Sequence, residues 1–206
     1  MKAQAAKKMD AKSVRLFASQ EAWREWLEKN HRKSDGLWLR LAKKDSGLKS
    51  VSYSEALEMS LCYGWIDGQK KAESAQAWLQ RFLPRSARSI WSKINREKAL
   101  ALIAKRRMMA AGLEAIEAAK KNGNWESAYD SPRVAEIPDD LQAALDANPS
   151  ARAFFLTLDR ANRYAVLFRI QTVKKAATRA AKIRQLVEML ARNERIHEPR
   201  TRRTSK

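Results

Sequence analysis

The spacing of hydrophobic residues changes once along the chain, near Ser86. Before this point, short alternating segments typical of strands stand between amphipathic helical patterns. After it, nearly every apolar residue recurs at helical spacing. The pattern therefore predicts an α+β fold, in which a small N-terminal mixed domain with a short antiparallel sheet and helices is followed by an all-helical C-terminal region.

Local signals place the elements of the first half. Ser19 is predicted to cap a helix that ends near residues 30–31. Ser52 and Glu55 form a capping box for a second helix, which is predicted to end at Gly64. Strands are predicted over 14–17, 37–42, 65–71 and 77–83, with a hairpin between the last two. Six of the seven tryptophans lie between Trp23 and Trp91, so the main core is expected in this part of the chain.

In the second half, Ser89 or Ser92 is expected to cap a helix that runs to about Arg107. Gly112 is expected to break the helical pattern before a further helix over 113–121. A short helix is predicted to have Pro138 at its first position, because proline suits that position.

The last part of the chain is predicted to begin with a turn over 148–150 and a short helix after it. A helix over 163–171 follows, and Thr178 is expected to cap the final helix. That helix has a buried stripe at helical spacing, formed by Ile183, Leu186, Val187 and Leu190.

These elements suggest a division of the chain into five segments. We predict a flexible basic N-terminus over 1–13, an α+β domain over 14–110, a helical and irregular connector over 111–137, a helical C-terminal domain over 138–198, and a disordered basic tail over 199–206.

The composition points to an anionic partner. The formal net charge is +19 and the pI is about 10.3. Residues 160–206 hold fourteen Lys/Arg and three Asp/Glu, whereas residues 104–159 hold seven and nine. Such an excess attracts polyanions and anionic surfaces, and it equally serves solubility.

The sequence also indicates a compartment. A single cysteine allows no internal disulfide, which suits a reducing environment. No apolar run approaches the roughly 20 residues that span a bilayer, and the start of the chain does not resemble a secretory signal. We therefore expect a cytoplasmic protein without a transmembrane segment.

Several motifs resemble the YdeI/OmpD-associated family, whose members are also called bacteriocin-protection proteins. An early block includes Gly36 to Leu39, Leu61 to Gly68 and Ser89 to Asn95. A later block runs from Asn162-Arg163-Tyr164 through Arg169-Ile170-Gln171 to Ile183 and is similar to the family's C-terminal domain. The resemblance covers roughly Phe17 to Ile196. It implies a small α+β domain followed by helices, a role in protection from bacteriocins or antimicrobial peptides, and no settled catalytic residue or cofactor.

The segment 61–71 is the first candidate wall of a site, because it joins a helix end to a strand and holds two of the six glycines. Asp67 beside Lys70 is a candidate acid–base or anion-binding pair, or else a carboxylate that fastens a turn beside a solvated lysine. Strict alternation along the strand puts Asp67 on one face and Lys70 on the other.

A second candidate is a predicted helix start rich in cations, because free helix N–H groups and arginines both bind anions. Trp91 within it is a core residue or a stacking platform. The alternative is ordinary capping with surface charge. Together the two candidates give the predicted ligand-binding set of Lys43, Asp67, Lys70, Arg81, Arg85, Arg88, Ser89, Trp91 and Lys93.

The sequence gives less support for nucleophilic catalysis, metal binding or phosphate binding along the last helices. Cys62 is a nucleophile or, more in keeping with its apolar neighbours, an inert buried thiol. His31 and His197 are far apart and no Cys/His cluster exists, so we expect neither a metal nor a cofactor. Lys174, Lys175, Arg179 and Lys182 form a basic group that either tracks phosphates or is a charged outer helix face.

We therefore interpret the protein as a non-enzymatic binding protein of the protection type, whose partner is an anionic small molecule or an envelope or stress component. One alternative is a basic protein that associates with nucleic acid without sequence specificity. Another is an enzyme that uses the region of Asp67 and Lys70.

Overall fold

The computed structural model describes residues 14–198, and the terminal segments predicted over 1–13 and 199–206 lie outside this range. Within it the chain has eight helices and a four-stranded mixed sheet, so the predicted α+β class is confirmed. The described residues divide into two compact units. The first unit comprises residues 14–89 and 97–123, and the second comprises residues 90–96 and 124–198.

Four strands form the sheet of the first unit in the order β1-β2-β4-β3. The first strand is parallel to β2, and the other pairs are antiparallel. The elements up to the sheet's last strand are β1 (Val14–Arg15), α1 (Gln20–Asn30), β2 (Leu37–Ala42), α2 (Tyr53–Cys62), β3 (Trp65–Ala72) and β4 (Ala77–Pro84).

The later elements are all helical, as predicted for the C-terminal region. They are α3 (Lys93–Ala104), α4 (Ala110–Lys121), α5 (Asp139–Asp146), α6 (Pro149–Thr157), α7 (Arg160–Gln171) and α8 (Ala176–Ala191). The first four residues of α3 belong to the second unit, and the remainder of α3 and all of α4 belong to the first.

An aromatic cluster forms the centre of the first unit's core. Trp23 is fully buried and stacks on Trp26 with ring centroids 5.2 Å apart. Its indole N–H donates to the carbonyl of Ala56 at 3.1 Å, so burial leaves no polar atom of the ring unsatisfied. Trp65 meets Trp23 edge-on at 6.1 Å. Each fully buried side chain of this size contributes roughly 1.5–3 kcal/mol or more through loss of apolar contact with water.

The local capping predictions are confirmed in the first unit. The Ser19 hydroxyl accepts from the backbone N–H of Ala22, and Ser52 and Glu55 complete both bonds of the capping box. Gly64 follows α2 with φ of 73°, a left-handed conformation that glycine adopts without strain. For α3, the cap is Ser92 and not Ser89, because the Ser92 hydroxyl accepts from the N–H of Asn95.

The prediction that Gly112 breaks the helical pattern is wrong, because α4 begins at Ala110 and includes it. The glycine serves close packing, since a Cβ at this position would meet the carbonyl oxygens of Cys62 and, at 2.9 Å, Leu61. This helix start therefore lies against the end of α2, and only a residue without a side chain fits there.

Four helix boundaries in the second unit also differ from prediction. Pro138 is the N-cap of α5 and not its first helical residue. The predicted turn at 148–150 is a helix start, in which Asn148 is the N-cap and Pro149 the first helical residue. Asp159 caps α7, so this helix begins three residues before the predicted start. Thr178 lies inside α8, whose N-cap is Lys175. The side chain of this N-cap makes no hydrogen bond to the first turn of α8, so the helix begins without a side-chain cap.

The predicted alternation of β3 is interrupted by a β-bulge between Asp67 and Lys70. Asp67 pairs with Phe82 and Lys70 pairs with Gln80, so three steps on β3 match two on β4. The extra residue returns Lys70 to the face that carries Asp67. The prediction that these two residues lie on opposite faces is therefore wrong.

The second unit is built around its own apolar core. The stripe predicted for α8 is confirmed, because all four of its residues are buried. They pack with buried side chains of the preceding helices, namely Leu141, Leu145, Phe155, Val166, Leu167 and Ile170. Trp91 is also buried and meets Trp125 edge-on, with ring centroids 4.8 Å apart.

Candidate anion-binding site

The bulge in β3 brings Asp67 and Lys70 onto one face, but each has a partner of its own. The Tyr53 hydroxyl donates to Oδ2 of Asp67 at 2.9 Å, which ties the start of α2 to the sheet. The Lys70 ammonium lies over the Trp78 ring, 4.2 Å from its centroid. These contacts match the structural alternative raised for the pair, in which the carboxylate fastens local structure.

The other predicted residues of the first unit do not share this face. Arg81 stands between Gln80 and Phe82 on β4 and therefore points to the opposite face of the sheet. Lys43 donates from Nζ to the carbonyl of Ser74 at 2.7 Å, at the β3–β4 hairpin. Arg85 bonds through its backbone N–H to the carbonyl of Gly64 at 2.9 Å.

The predicted cationic helix start is divided between the units. Arg88 and Ser89 belong to the first unit, in a turn where the Ser89 hydroxyl accepts from the backbone N–H of Ser86 at 2.9 Å. Trp91 and Lys93 belong to the second unit, where the helix begins. Trp91 is 2% exposed, which places its ring in the core.

A polar cleft of about 600 Å³ in the second unit unites two predicted cations, Lys93 and Arg179. Both face carboxylates: Lys93 lies 2.8 Å from Asp130, and Arg179 makes a bidentate contact with Asp140 that lowers the pKa of this carboxyl. The cleft is lined by further acidic residues, Glu126 and Glu136. The cations here are therefore compensated, and the cleft does not favour an anion.

The remaining basic candidates lie just before α8 and within it. Lys174 and Lys175 precede the helix, and Lys175 is its backbone N-cap. Lys182 donates from Nζ to the side-chain oxygen of Gln185 at 2.8 Å, so its charge has a neutral partner. Arg179, by contrast, also donates to the carbonyl of Ile170 and is held in a structural role.

Cys62 is the last residue of α2 and is buried. Burial raises the pKa of its thiol to about 11, which disfavours the nucleophilic thiolate near neutral pH. Across residues 14–198, no three His, Cys, Asp or Glu side chains come together as a potential metal site.

The arrangement best suited to an anion is a pocket of about 580 Å³ along α7, which we call the α7 pocket. The helix contributes Arg160, Ala161, Tyr164, Ala165, Phe168 and Arg169. Pro132 and His197 complete the wall. Among the described residues no carboxylate lines the pocket, whereas two guanidinium groups do.

The geometry of α7 explains this arrangement. At 3.6 residues per turn, the six pocket residues cover about 180° of the helix surface. Arg160 and Arg169 lie at the two edges of this face, and the alanine and aromatic residues lie between them. The opposite face carries the core residues Val166, Leu167 and Ile170, all buried. The helix is thus apolar on both sides, with a cationic border on one.

Polar contacts from α7 hold the surrounding chain in place. The Tyr164 hydroxyl donates to the carbonyl of Asp130 at 2.8 Å, and the Gln171 side chain accepts from the Asp130 N–H at 3.0 Å. These bonds fix the segment that leads to Pro132. Burial, followed by the charges of Tyr129 and Asp130, raises the pKa of Tyr164 to about 12, so the hydroxyl stays a neutral donor.

Asn162 fastens the opposite wall of the pocket. Its side-chain oxygen accepts from the backbone N–H of His197 at 2.8 Å, and its amide nitrogen lies 3.1 Å from the carbonyl of the same residue. Asn162 is 1% exposed. This two-way contact positions the segment after α8 beside the start of α7 and brings His197 to the pocket rim.

The α7 pocket residues were not predicted as a site from the sequence, although one signal was present. The stretch 160–171 has apolar residues on two helical faces. A helix that packs against the protein on one side requires only one apolar face. Arginines at both edges of the second face would have indicated a bordered pocket. The contributions of Pro132 and His197 depend on distant chain segments and carry no local signal.

Comparison with known proteins assigns the two parts of the chain separately. Residues 15–115 match the model of a domain of unknown function (DUF8412). Residues 134–193 match the family model described as bacteriocin-protection, YdeI or OmpD-associated. No curated protein and no solved structure matches the chain.

The chain thus has an N-terminal part that matches a domain of unknown function and a helical part that is similar to a protection-associated family. The resemblance to the YdeI/OmpD-associated family is confirmed over 134–193, which contains α5 to α8 and most of the α7 pocket. The early block of that resemblance lies entirely in the separate match over 15–115, outside the residues that match the YdeI/OmpD-associated model. No helix within residues 14–198 has the length and apolar character needed to traverse a bilayer.

Proposed function

We propose that this protein is a non-enzymatic binding protein of the bacteriocin-protection type, which acts in the cytoplasm in resistance to antimicrobial peptides. Its ligand is an anion with an apolar body, bound in the α7 pocket. The proposal combines the family match over 134–193 with the chemistry of a pocket that lies mostly inside the matched segment.

The main observation behind the proposal is an apolar pocket with an arginine at each edge. Arg160 and Arg169 each direct one N–H to a backbone carbonyl, of Pro132 at 3.4 Å and of Ala165 at 2.9 Å. A guanidinium has five N–H donors, so most of the donors of each group remain for a ligand. Tyr164 and Phe168 supply the apolar surface. A volume of about 580 Å³ lies within the usual range of small-molecule sites.

The direct test uses three probes with one chain length and different head charges: octanoate, octanol and octylamine. Binding to the full-length protein is measured by calorimetry and thermal shift at moderate salt. We expect octanoate to bind best, octanol more weakly, and octylamine not at all, because the guanidinium border favours a negative head. Equal binding of octanol and octanoate would contradict the proposal.

The matched variants are Arg169→Gln and, as control, Arg184→Gln. Arg184 is an exposed arginine of α8 outside the α7 pocket. A hydrogen bond to a charged group contributes roughly 1.5–3 kcal/mol, so Arg169→Gln should weaken octanoate binding by about tenfold or more. The control should bind as the wild type does. Equal weakening in both variants would mean that the net charge, and not the pocket, attracts the anion.

The cellular test measures survival under a cationic antimicrobial peptide. A strain without the gene should regain resistance with the wild type and with Arg184→Gln, but less with Arg169→Gln. Short DNA is included in the binding panel. If DNA alone binds and its affinity vanishes as salt increases, the nucleic-acid alternative is supported instead.

A further inference from the structure

A second cavity adjoins the α7 pocket. This α7–α8 cleft has a volume of about 370 Å³ and is lined by Arg169, Lys182, Gln185, Arg192, Glu194 and Ile196, with Leu186 and Met189 as apolar wall. Arg169 lines both cavities. The neighbouring residues Ile196 and His197 also line one cavity each, so the two spaces follow the same stretch of chain.

The charge of the α7–α8 cleft is positive. Arg169, Lys182 and Arg192 contribute three cations, and Glu194 is the single carboxylate among the residues that line it. Glu194 is engaged by Arg192 through two contacts, at 2.8 and 3.1 Å. Lys182 faces the neutral Gln185. The charges of Lys182 and Arg169 are therefore left for a ligand.

The two cavities differ in the chemistry that they offer. The α7 pocket has an apolar surface with a guanidinium group at each edge. The α7–α8 cleft is smaller and is lined by three cationic side chains. A ligand that fills both has an apolar body and a compact, multiply charged head. A phosphate monoester has this character, since it carries about −1.5 to −2 charge at pH 7 and has three strong acceptor oxygens. A carboxylate carries one charge and is satisfied by a single bidentate guanidinium.

Resting on the function proposed above, we infer that the anion is a phosphate-headed amphiphile. Its chain lies in the α7 pocket and its phosphate lies in the α7–α8 cleft between Arg169 and Lys182. The same chemistry occurs in a free alkyl phosphate and in the headgroup of a phosphatidic-acid membrane, and the experiment separates these two sources.

The test compares dodecyl phosphate with dodecanoate, which have the same chain length, by calorimetry on the full-length protein below the concentration at which either forms micelles. We expect the phosphate to bind about tenfold more tightly. Lys182→Gln should abolish this preference and leave dodecanoate affinity unchanged, because Lys182 lines only the α7–α8 cleft. Lys182 is only partly buried and its ammonium lies at the surface, so the variant is expected to fold, and Arg184→Gln is again the control.

The outcomes separate the two proposals. If dodecanoate and dodecyl phosphate bind equally, or if Lys182→Gln weakens both alike, the inference about the phosphate head is overturned and the anion-binding function stands. If neither binds the wild type, the proposed function itself fails. Sedimentation of the protein with phosphatidic-acid vesicles, but not with phosphatidylcholine vesicles, would assign the source to a membrane lipid. Retention in the supernatant, together with binding of dodecyl phosphate, would assign it to a free amphiphile.

Discussion

Asn162 offers the sharpest test of how the second unit is held together. The substitution Asn162→Ala removes a side chain that is 1% exposed and whose amide makes three hydrogen bonds. Two of these join both backbone groups of His197, at 2.8 and 3.1 Å, and the third joins Asp159 at 3.1 Å. The helix cap survives the change, because Asp159 accepts from the backbone N–H of residue 162.

The expected cost follows from these three contacts. A net value of roughly 0.5–1.5 kcal/mol for each hydrogen bond gives a total of about 1.5–4.5 kcal/mol for the three. The assay is urea denaturation at neutral pH, and the control is Gln142→Ala. The Gln142 amide makes one exposed bond to Asp146 along a helix, and its loss should cost about 0.5 kcal/mol or less.

A second measurement tests whether Asn162 holds the segment at His197, and not only how much stability the substitution removes. Hydrogen exchange of the His197 backbone amide should become faster in Asn162→Ala at denaturant concentrations where the core of the unit remains folded. If Asn162→Ala costs no more than Gln142→Ala, or if exchange at His197 does not change, the two-way contact does not hold this segment. The account of the pocket's second wall would then be wrong.

Two further predictions concern close packing and pH. Gly112→Ala should destabilise the protein by roughly 1–3 kcal/mol in thermal or urea unfolding, because the added Cβ meets the carbonyl of Leu61 at 2.9 Å. The control Ala118→Gly, at an exposed position of the same helix, should cost about 1 kcal/mol by propensity alone, so a gain in stability for Gly112→Ala would contradict the packing argument. For Asp140, the hydrogen bond from Arg179 lowers the pKa of the folded state, so the ion pair stabilises the protein above the unfolded pKa of about 3.9 and loses this effect as pH falls through the lower folded pKa. Asp140→Asn should therefore be less stable than the wild type at pH 7, by about 1 kcal/mol or less for a half-exposed pair, and the difference should shrink in denaturation at pH 3. A difference that does not change with pH would show that the pair contributes nothing through its charge.

Features decided by neighbouring residues could be predicted from the sequence. Ser52 and Glu55 form both bonds of their capping box within four residues, so the start of α2 is encoded locally. The buried stripe of α8 is likewise visible as a helical period, with Ile183 and Leu190 at its ends. The hairpin between β3 and β4 belongs to the same class.

Features decided by distant residues could not be predicted in this way. Gly112 looks like a helix breaker, and only its contact with the end of α2 reveals a packing role. Asn148 and Pro149 fit a turn and a helix start equally well, since both structures use these residue types. The α7 pocket depends on Pro132 and His197, which reach α7 only in the folded unit.

The bulge in β3 has a consequence for strand pairing during folding. Gln80 on β4 is 3% exposed, and its amide nitrogen lies 3.0 Å from the carbonyl of Gly68 and 3.2 Å from that of Gln69. If the hairpin shifted by one residue, this amide would lose both acceptors on β3 and keep only the carbonyl of Arg81, 3.3 Å away on its own strand, while the two β3 carbonyls lost their donor. Mispaired hairpins therefore carry a polar penalty that alternation of apolar residues alone would not impose. In this sheet, the buried amide of Gln80 therefore disfavours a hairpin in the wrong register.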